Sequence, residues 1–204
     1  MDPWITIIVV AYERYLHLPI MIHAFLTQTN PNWKMVILHD GPNPTHHDMV
    51  APFIEKYTNI SYHQSKKRFN DYGHSLRDWA INEFIDTPWA LITNDDNYYV
   101  PTFLSECDSI IKHHQSAEFI MFDCLMNTVV NNNSIHKKNY QVQYTLPKIA
   151  GIDMCSFIVK SDLLKKVWFK SKILAADGVL VENILNQYPN LNIFKINQAL
   201  FVHN

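Results

Sequence analysis

A single α/β domain, built on a mostly parallel central sheet with helices on both faces, is what the sequence predicts. Three observations carry this. Residues 1–104 alternate short apolar runs with helically spaced segments, the pattern of strand–helix–strand units. The runs are continuous and β-branched, the mark of strands buried on both faces. Each run stops at a polar cluster, as expected where strands deliver functional groups to one edge of a sheet.

In chain order, Ile5 to Val10 is the first such run, followed by polar Ala-Tyr-Glu-Arg at 11–14. Leu18 to Leu26 has helical spacing through Leu18, Ile22, Phe25 and Leu26. Met35 to Leu38 is a second strand ending in His39-Asp40-Gly41-Pro42. Residues 45–57 read as a helix through Met49, Phe53, Ile54 and Tyr57, and Ile60 to His63 as a third strand. Gly73 precedes an amphipathic helix with Leu76, Ala80, Ile81 and Phe84 on one face. Trp89 to Ile92 is then a buried strand that runs into Asn94-Asp95-Asp96-Asn97.

The second half is less regular. Phe119 to Phe122 reads as a strand, 127–139 as an Asn- and Lys-rich loop, and Gly151 to Lys160 as containing a strand. A helix is expected from Ser161, a suitable N-cap, toward Trp168. Asp177-Gly178 precedes a helix over Val179 to Tyr188, and Ile193 to Val202 is the last extended segment.

Composition sets the outer bounds. At 204 residues, 48% hydrophobic and 18% charged, the chain suits one folded domain with a sizeable core and excludes a disordered one. A net charge of −2, with Lys66, Lys67 and Arg68 as the densest basic patch, argues against a general nucleic-acid surface. That patch reads either as solvated or as an aid to phosphate binding. Cys107, Cys124 and Cys155 lack paired spacing and read as buried small hydrophobes in a reducing compartment. The start Met-Asp-Pro-Trp has no positive n-region, and Ile5 to Ala11 is too short to span a bilayer. A soluble cytoplasmic protein is expected, with no transmembrane segment; the chain could also be one domain of a longer polypeptide. The four glycines form neither GxGxxG nor GxxxxGK, which excludes the usual dinucleotide and Walker-type phosphate loops.

The Asn-Asp-Asp-Asn cluster is the most informative stretch. Adjacent carboxylates at a strand end suit Mg²⁺ or Mn²⁺ holding a phosphorylated substrate, since such ions combine one or two carboxylates with phosphate oxygens. The same residues also favour an ordinary turn.

Four motifs taken in order give the cluster a context. Ile-Thr-Ile-Ile-Val-Val-Ala-Tyr-Glu-Arg, Met-Val-Ile-Leu-His-Asp-Gly-Pro, Gly73-His-Ser-Leu-Arg77-Asp-Trp-Ala-Ile and Leu-Ile-Thr-Asn-Asp-Asp-Asn with Pro101 together resemble the GT-A nucleotide-sugar glycosyltransferases, particularly the family 2-like group. The chain is also similar to glycosyltransferase domains encoded by large algal viruses, which would place it in the host cytoplasm. The resemblance is strong over residues 5–104 and weaker beyond.

It implies a metal-dependent, inverting transfer of a sugar from a nucleoside diphosphate, UDP favoured, to a hydroxyl of a glycan or glycoprotein acceptor. Residues 1–104 would bind the nucleotide and 105–204 the acceptor, around 125–150. Ala11 and Tyr12 would line the base pocket and Asp40 would accept from the pyrimidine N–H. Arg14 and Arg77 would meet phosphate or sugar oxygens. The family's Asp-X-Asp-Asp falls on Asn94-Asp95-Asp96-Asn97, so its first and last Asp are Asn here. Asp96 takes the place of the carboxylate on Mn²⁺ (or Mg²⁺), Asp95 would reach the ribose or a metal-bound water, and Asn94 offers only its amide oxygen. His203 resembles a further metal ligand.

Asp177 takes the position of the catalytic base, and Asp153 and Glu182 are candidates for acceptor contacts. Competing readings accompany these: Asp177 as a helix N-cap, Asp40 as a turn residue, Tyr12 as a core tyrosine and Arg14 as a surface charge. The remaining histidines, including His46-His47 and His113-His114, read as surface residues. Two other function classes stay open, a nucleotidyltransferase, which would normally carry a glycine-rich first loop, and a nucleotide- or glycan-binding domain without turnover.

Overall fold

The computed structural model describes residues 2–129, 138–167 and 176–204. The first half runs β1 (Ile5–Ala11), α1 (His17–Leu26), β2 (Trp33–His39), α2 (Pro44–Lys56), β3 (Ile60–Gln64), α3 (His74–Glu83) and β4 (Trp89–Asn94). It continues through a two-residue strand β5 (Tyr98–Tyr99) into α4 (Phe103–His113). The second half contains β6 (Phe119–Val129), β7 (Lys138–Gln143), a 3₁₀ turn (Met154–Ser156), β8 (Phe157–Lys160), α5 (Ser161–Lys166), α6 (Ala176–Gln187) and β9 (Ile193–His203).

These strands form one mixed sheet in the order β3-β2-β1-β4-β8-β6-β9-β5, with β7 added beside β6. The β3-β2-β1-β4 portion is wholly parallel. From β8 onward antiparallel pairings enter, while β6 and β9 remain parallel to each other.

Alternation along β1 explains why the sheet needs helices on both faces. Ile5, Ile7 and Val9 pack with Leu18, Met21, Ile22 and Phe25 of α1, Val50 of α2 and Phe103 of α4. Ile8 and Val10 face the other way, onto Leu76, Ala80 and Ile81 of α3, Leu163 and Leu164 of α5 and Leu180 and Val181 of α6. Every residue of β1 is buried, which accounts for its uninterrupted apolar run. Each such side chain contributes about 1.5–3 kcal/mol relative to exposure.

What this register does for function is align three strand ends. Ala11 pairs with His39, and Val10 pairs with Asn94. The residues that follow β1, β2 and β4 therefore emerge side by side at one sheet edge, the usual ligand edge of an α/β sheet.

Several local expectations are corrected. The 127–139 loop is narrower, because Asn127 pairs with Tyr140 and β7 begins at Lys138. Ladder hydrogen bonds at a sheet edge need no apolar periodicity, so the composition concealed a hairpin. Residues 130–137, and Trp168 with the rest of 168–175, lie outside the described residues. Ser161 is not an N-cap: Lys160 holds that position, and the Ser161 hydroxyl donates to Thr87 O at 2.6 Å. The final helix starts at Ala176, which puts Asp177 inside its first turn instead of before it. Among the described residues no helix is long and apolar enough to cross a membrane.

Candidate active site

A cavity of about 480 Å³ opens at the shared strand edge. It is lined by Ala11, Tyr12, Arg14, Asp40, Arg77, Asn94, Asp95, Asp96, Asp153, Asp177 and His203, so all but one of the sequence-predicted site residues meet in one place. The exception is Glu182, which is not among the lining residues. Its carboxylate accepts the Ile149 N–H at 2.9 Å, tying α6 to the loop after β7.

The first-half wall is held by backbone. Asp40, buried just beyond β2, accepts from Phe69 N at 2.8 Å with one oxygen and from Asn70 N at 3.0 Å with the other. It therefore fixes the loop that carries Arg68 and Asn70 to the cavity. Asp95 accepts the Tyr12 N–H at 3.0 Å, bracing the turn after β1 against the turn after β4. Arg77 donates to Tyr72 O at 2.9 Å and to the Asn94 side-chain oxygen at 3.0 Å. Asn97 turns away from the cavity and donates to Thr93 Oγ1 at 3.1 Å, inside the protein.

Carboxylates side by side in a buried setting need a counter-ion. Arg14 supplies it: Nη1 hydrogen-bonds to Asp96 Oδ2, and Nε lies 3.6 Å from Asp95 Oδ1. Even so, burial first, then the neighbouring Asp96, pushes the Asp95 carboxyl up to about 7.

On the second-half wall Asp153 accepts the Cys155 N–H at 2.8 Å. Asp177 accepts the Met154 N–H at 3.3 Å. Burial raises its pKa, with the positive charge of Arg77 offsetting part of the shift. His203 Nε2 faces Asp153 Oδ2 at 3.5 Å, and that contact raises the imidazole pKa. Burial alone would raise Asp153, but hydrogen bonds from His203 and Cys155 outweigh it and hold the carboxyl below its usual range. Asn204 closes the floor by donating to Asp96 O at 2.8 Å.

Arg68, read from sequence as either solvated or an aid to phosphate binding, also lines the cavity, as do Asn70, Tyr72, Gly73, His74 and Asn204, which were given no site role. The Arg68 guanidinium lies 4.0 Å over the Tyr12 ring, a cation–π stack at the mouth. Gly73 is obligatory: its φ is +80°, and a Cβ there would meet Val10 Cγ1 at 2.5 Å. Glu13, Asn70 and Tyr72 also take left-handed backbone (φ 52°, 54° and 57°), so strained residues concentrate at this rim.

Behind Tyr12 the rings continue inward: Tyr12 stacks on His39 (5.7 Å between centroids) and His39 contacts His46 (4.3 Å). His46 is thus fully buried, not a surface residue, with Nδ1 bonded to Tyr62 Oη at 3.0 Å. Its position at the start of α2, packed against β2 and β3, is set by tertiary contact, which residue type does not reveal. Burial, then His39, lowers its pKa to about 4. His47, His113 and His114 are exposed.

No family model and no curated protein sequence matches the chain. Solved structures do. TarS of S. aureus, residues 1–349, superposes with a TM-score of 0.74 at 15% identity, covering 100% of this chain and 60% of that one. The same TarS segment in complex with UDP-GlcNAc gives 0.75 at 16% identity, covering 99% and 58%. A mannosyltransferase from Pyrobaculum calidifontis, in complex with GDP-Man and Mn²⁺, gives 0.72 at 12% identity, covering 99% and 57%. The chain therefore spans about 60% of the length of these structures. At this level of identity the likeness establishes the fold, which is that of the GT-A glycosyltransferases.

Proposed function

We propose that this cavity binds a nucleoside diphosphate sugar, with UDP favoured, and transfers the sugar to a hydroxyl of a glycan or glycoprotein acceptor with inversion. The observation that carries the proposal is the convergence of Asp40, Asp95, Asp96, Arg14, Arg77 and Asp177 on one strand-edge cavity. Structures of the same fold solved with UDP-GlcNAc and GDP-Man add support.

The roles follow from position. Tyr12 and Asp40, beyond β1 and β2, flank the place of the base. Arg14 and Arg77 offer guanidinium forks matched to phosphate oxygens. Asp177, across the cavity, takes the acceptor hydroxyl proton as that oxygen bonds to the anomeric carbon. The bond from that carbon to the diphosphate oxygen breaks on the opposite face. Burial raises the Asp177 pKa and makes its carboxylate a stronger base.

Mn²⁺ or Mg²⁺ suits the donors present. Among the described residues no three His, Cys, Asp or Glu side chains form a metal cluster. Such ions, however, commonly take one or two protein ligands and fill the remainder with phosphate oxygens and water. Asp96 and His203 would hold the ion, with Asp153 orienting the imidazole from behind. Bound there, the ion supplies Lewis-acid neutralisation of charge on the departing diphosphate.

Thermal melting with UDP, GDP, ADP and CDP, each with and without Mn²⁺, tests the reading. At a hundredfold excess over Kd, a ligand specific to the native state stabilises by about 2.7 kcal/mol, or roughly 5–10 °C for a chain of this size. The expected result is such a shift for one nucleotide, dependent on Mn²⁺ and lost in Asp96→Ala. No shift with any nucleotide would sink the proposal.

A further inference from the structure

Arg14 occupies the very carboxylate that the proposed function reserves for a divalent cation. Its Nη1 engages Asp96 Oδ2 and its Nε lies 3.6 Å from Asp95 Oδ1. The two sides of this ion pair differ in exposure. Both carboxylates are nearly sealed, at 5% and 4% side-chain exposure, whereas the Arg14 side chain is 49% exposed. Asp96 is further pinned through its backbone carbonyl by Asn204. The carboxylates are enclosed by protein, whereas the guanidinium borders the open cavity.

Other cations in the cavity are committed elsewhere. In the free protein Arg77 donates to Tyr72 O and Asn94 Oδ1, Arg68 lies over the Tyr12 ring, and His203 faces Asp153. Among the described residues Arg14 is the cation paired with Asp95 and Asp96. Together the three groups carry a net −1 when both carboxylates are ionised, which opposes the approach of a diphosphate. Exchanging the guanidinium for a divalent ion raises the charge at the carboxylates and frees the fork for phosphate oxygens.

We propose that Arg14 is a resident counter-ion of Asp95 and Asp96 that competes with a divalent cation for Asp96, so that the free protein takes up metal poorly and the nucleotide-bound protein takes it up well. This rests on reading Asp96 as a metal ligand in a donor-sugar site.

Mn²⁺ titration of the intact chain without nucleotide, followed by the electron paramagnetic resonance signal of free Mn²⁺, tests it. Arg14→Gln is expected to bind Mn²⁺ roughly five- to tenfold tighter than the unsubstituted chain, the effect of removing a competing partner from a close charge pair. Arg14→Lys, which keeps the charge, should stay near the unsubstituted value. Adding Asp96→Asn to Arg14→Gln should abolish the gain. Mn²⁺ binding by Arg14→Gln that is no tighter than that of the unsubstituted chain overturns the proposal. A gain that survives Asp96→Asn overturns it as well, because the ion then sits elsewhere. A Mn²⁺-dependent nucleotide shift in the melting experiment, found alongside either negative result, would leave the donor-site reading standing and this inference alone refuted. Arg14 is half exposed, so circular dichroism of Arg14→Gln should match the parent and exclude misfolding as the cause.

Discussion

The two walls of the cavity are built differently. On the wall from residues 11–97, carboxylates are clamped by backbone donors at short range: Asp40 by two amides at 2.8 and 3.0 Å, Asp95 by one at 3.0 Å. On the wall from residues 153–204, Asp153 is clamped as tightly, by the Cys155 amide at 2.8 Å, whereas Asp177 has one long contact, to the Met154 amide at 3.3 Å. A carboxylate with an amide donor on each oxygen, as at Asp40, is held in place as a scaffold. One held by a single long bond in a buried place keeps lone pairs for a substrate and an affinity for protons. Under the proposed function, recognition falls to the first wall and proton transfer to Asp177 on the second.

The sharpest way to break that division is Asp177→Asn. The amide keeps the shape and can still accept from Met154 N–H through its oxygen, but it cannot take a proton. If the second wall does the chemistry, transfer from the sugar nucleotide should fall by roughly 10²–10⁴, the usual contribution of a general base. The nucleotide-dependent melting shift should persist, since the first wall is untouched. Equal loss of both would erase the distinction between walls; full retained transfer would remove Asp177 from the chemistry.

A second prediction concerns what underlies the recognition wall. His46, buried beneath the Tyr12–His39 stack, stays neutral in the folded chain down to about pH 4, against 6.5 for a free imidazole. The sign follows from linkage. Above pH 6.5 both folded and unfolded chains are neutral at this site, and nothing is lost. Between 6.5 and about 4 the unfolded chain takes a proton that the folded chain refuses, so stability declines as pH falls. The full difference is worth at most about 3 kcal/mol, at roughly 1.36 kcal/mol per pH unit. Urea unfolding midpoints from about pH 7 to 4.5 should fall in the parent, and fall less steeply in His46→Asn, which cannot titrate. Parallel slopes would mean that the acid sensitivity comes from elsewhere, with the second wall the next place to look.

The two walls also differ in how far the sequence revealed them. Asp40, Asp95 and Asp96 were legible because each follows a continuous apolar run, and a buried parallel strand must end where its polar residues begin. Neighbouring strands in register then bring those ends together, so three separate local signals converge without knowledge of tertiary structure. Asp177, Asp153 and His203 were reached through resemblance, because the second half alternates weakly and its strands pair mostly antiparallel. Tyr72 escaped assignment and Arg68 stayed undecided between solvent and phosphate, because their place depends on a loop folded back onto Asp40, through contacts across 29 and 30 positions that no periodicity encodes. Glu182, a candidate for acceptor contacts from the sequence, lies outside the cavity lining and accepts the Ile149 N–H. The hairpin β6–β7 was hidden for a different reason, since its outer strand is satisfied by hydrogen bonds and solvent instead of an apolar core.

Arg68→Ala gives the smallest effect and the finest probe of the first wall. The guanidinium covers one face of Tyr12 at 4.0 Å while His39 backs the ring from the other partner position. Arg68 is exposed, so losing the stack should lower stability by only about 0.5–1 kcal/mol, or roughly 1–4 °C in melting temperature. The informative quantity is the nucleotide shift. If Tyr12 belongs to the base pocket, the face that Arg68 occupies is the one a base would contest, and the variant's shift should change while that of a variant on the other wall does not. An unchanged shift in Arg68→Ala would place Tyr12 among the structural aromatics, continuous with His39, His46 and Tyr62, and would move the recognition boundary inward to Asp40. The first wall would then recognise through its clamped carboxylate alone, and the aromatic ladder behind it would serve only to hold β1, β2 and α2 in register.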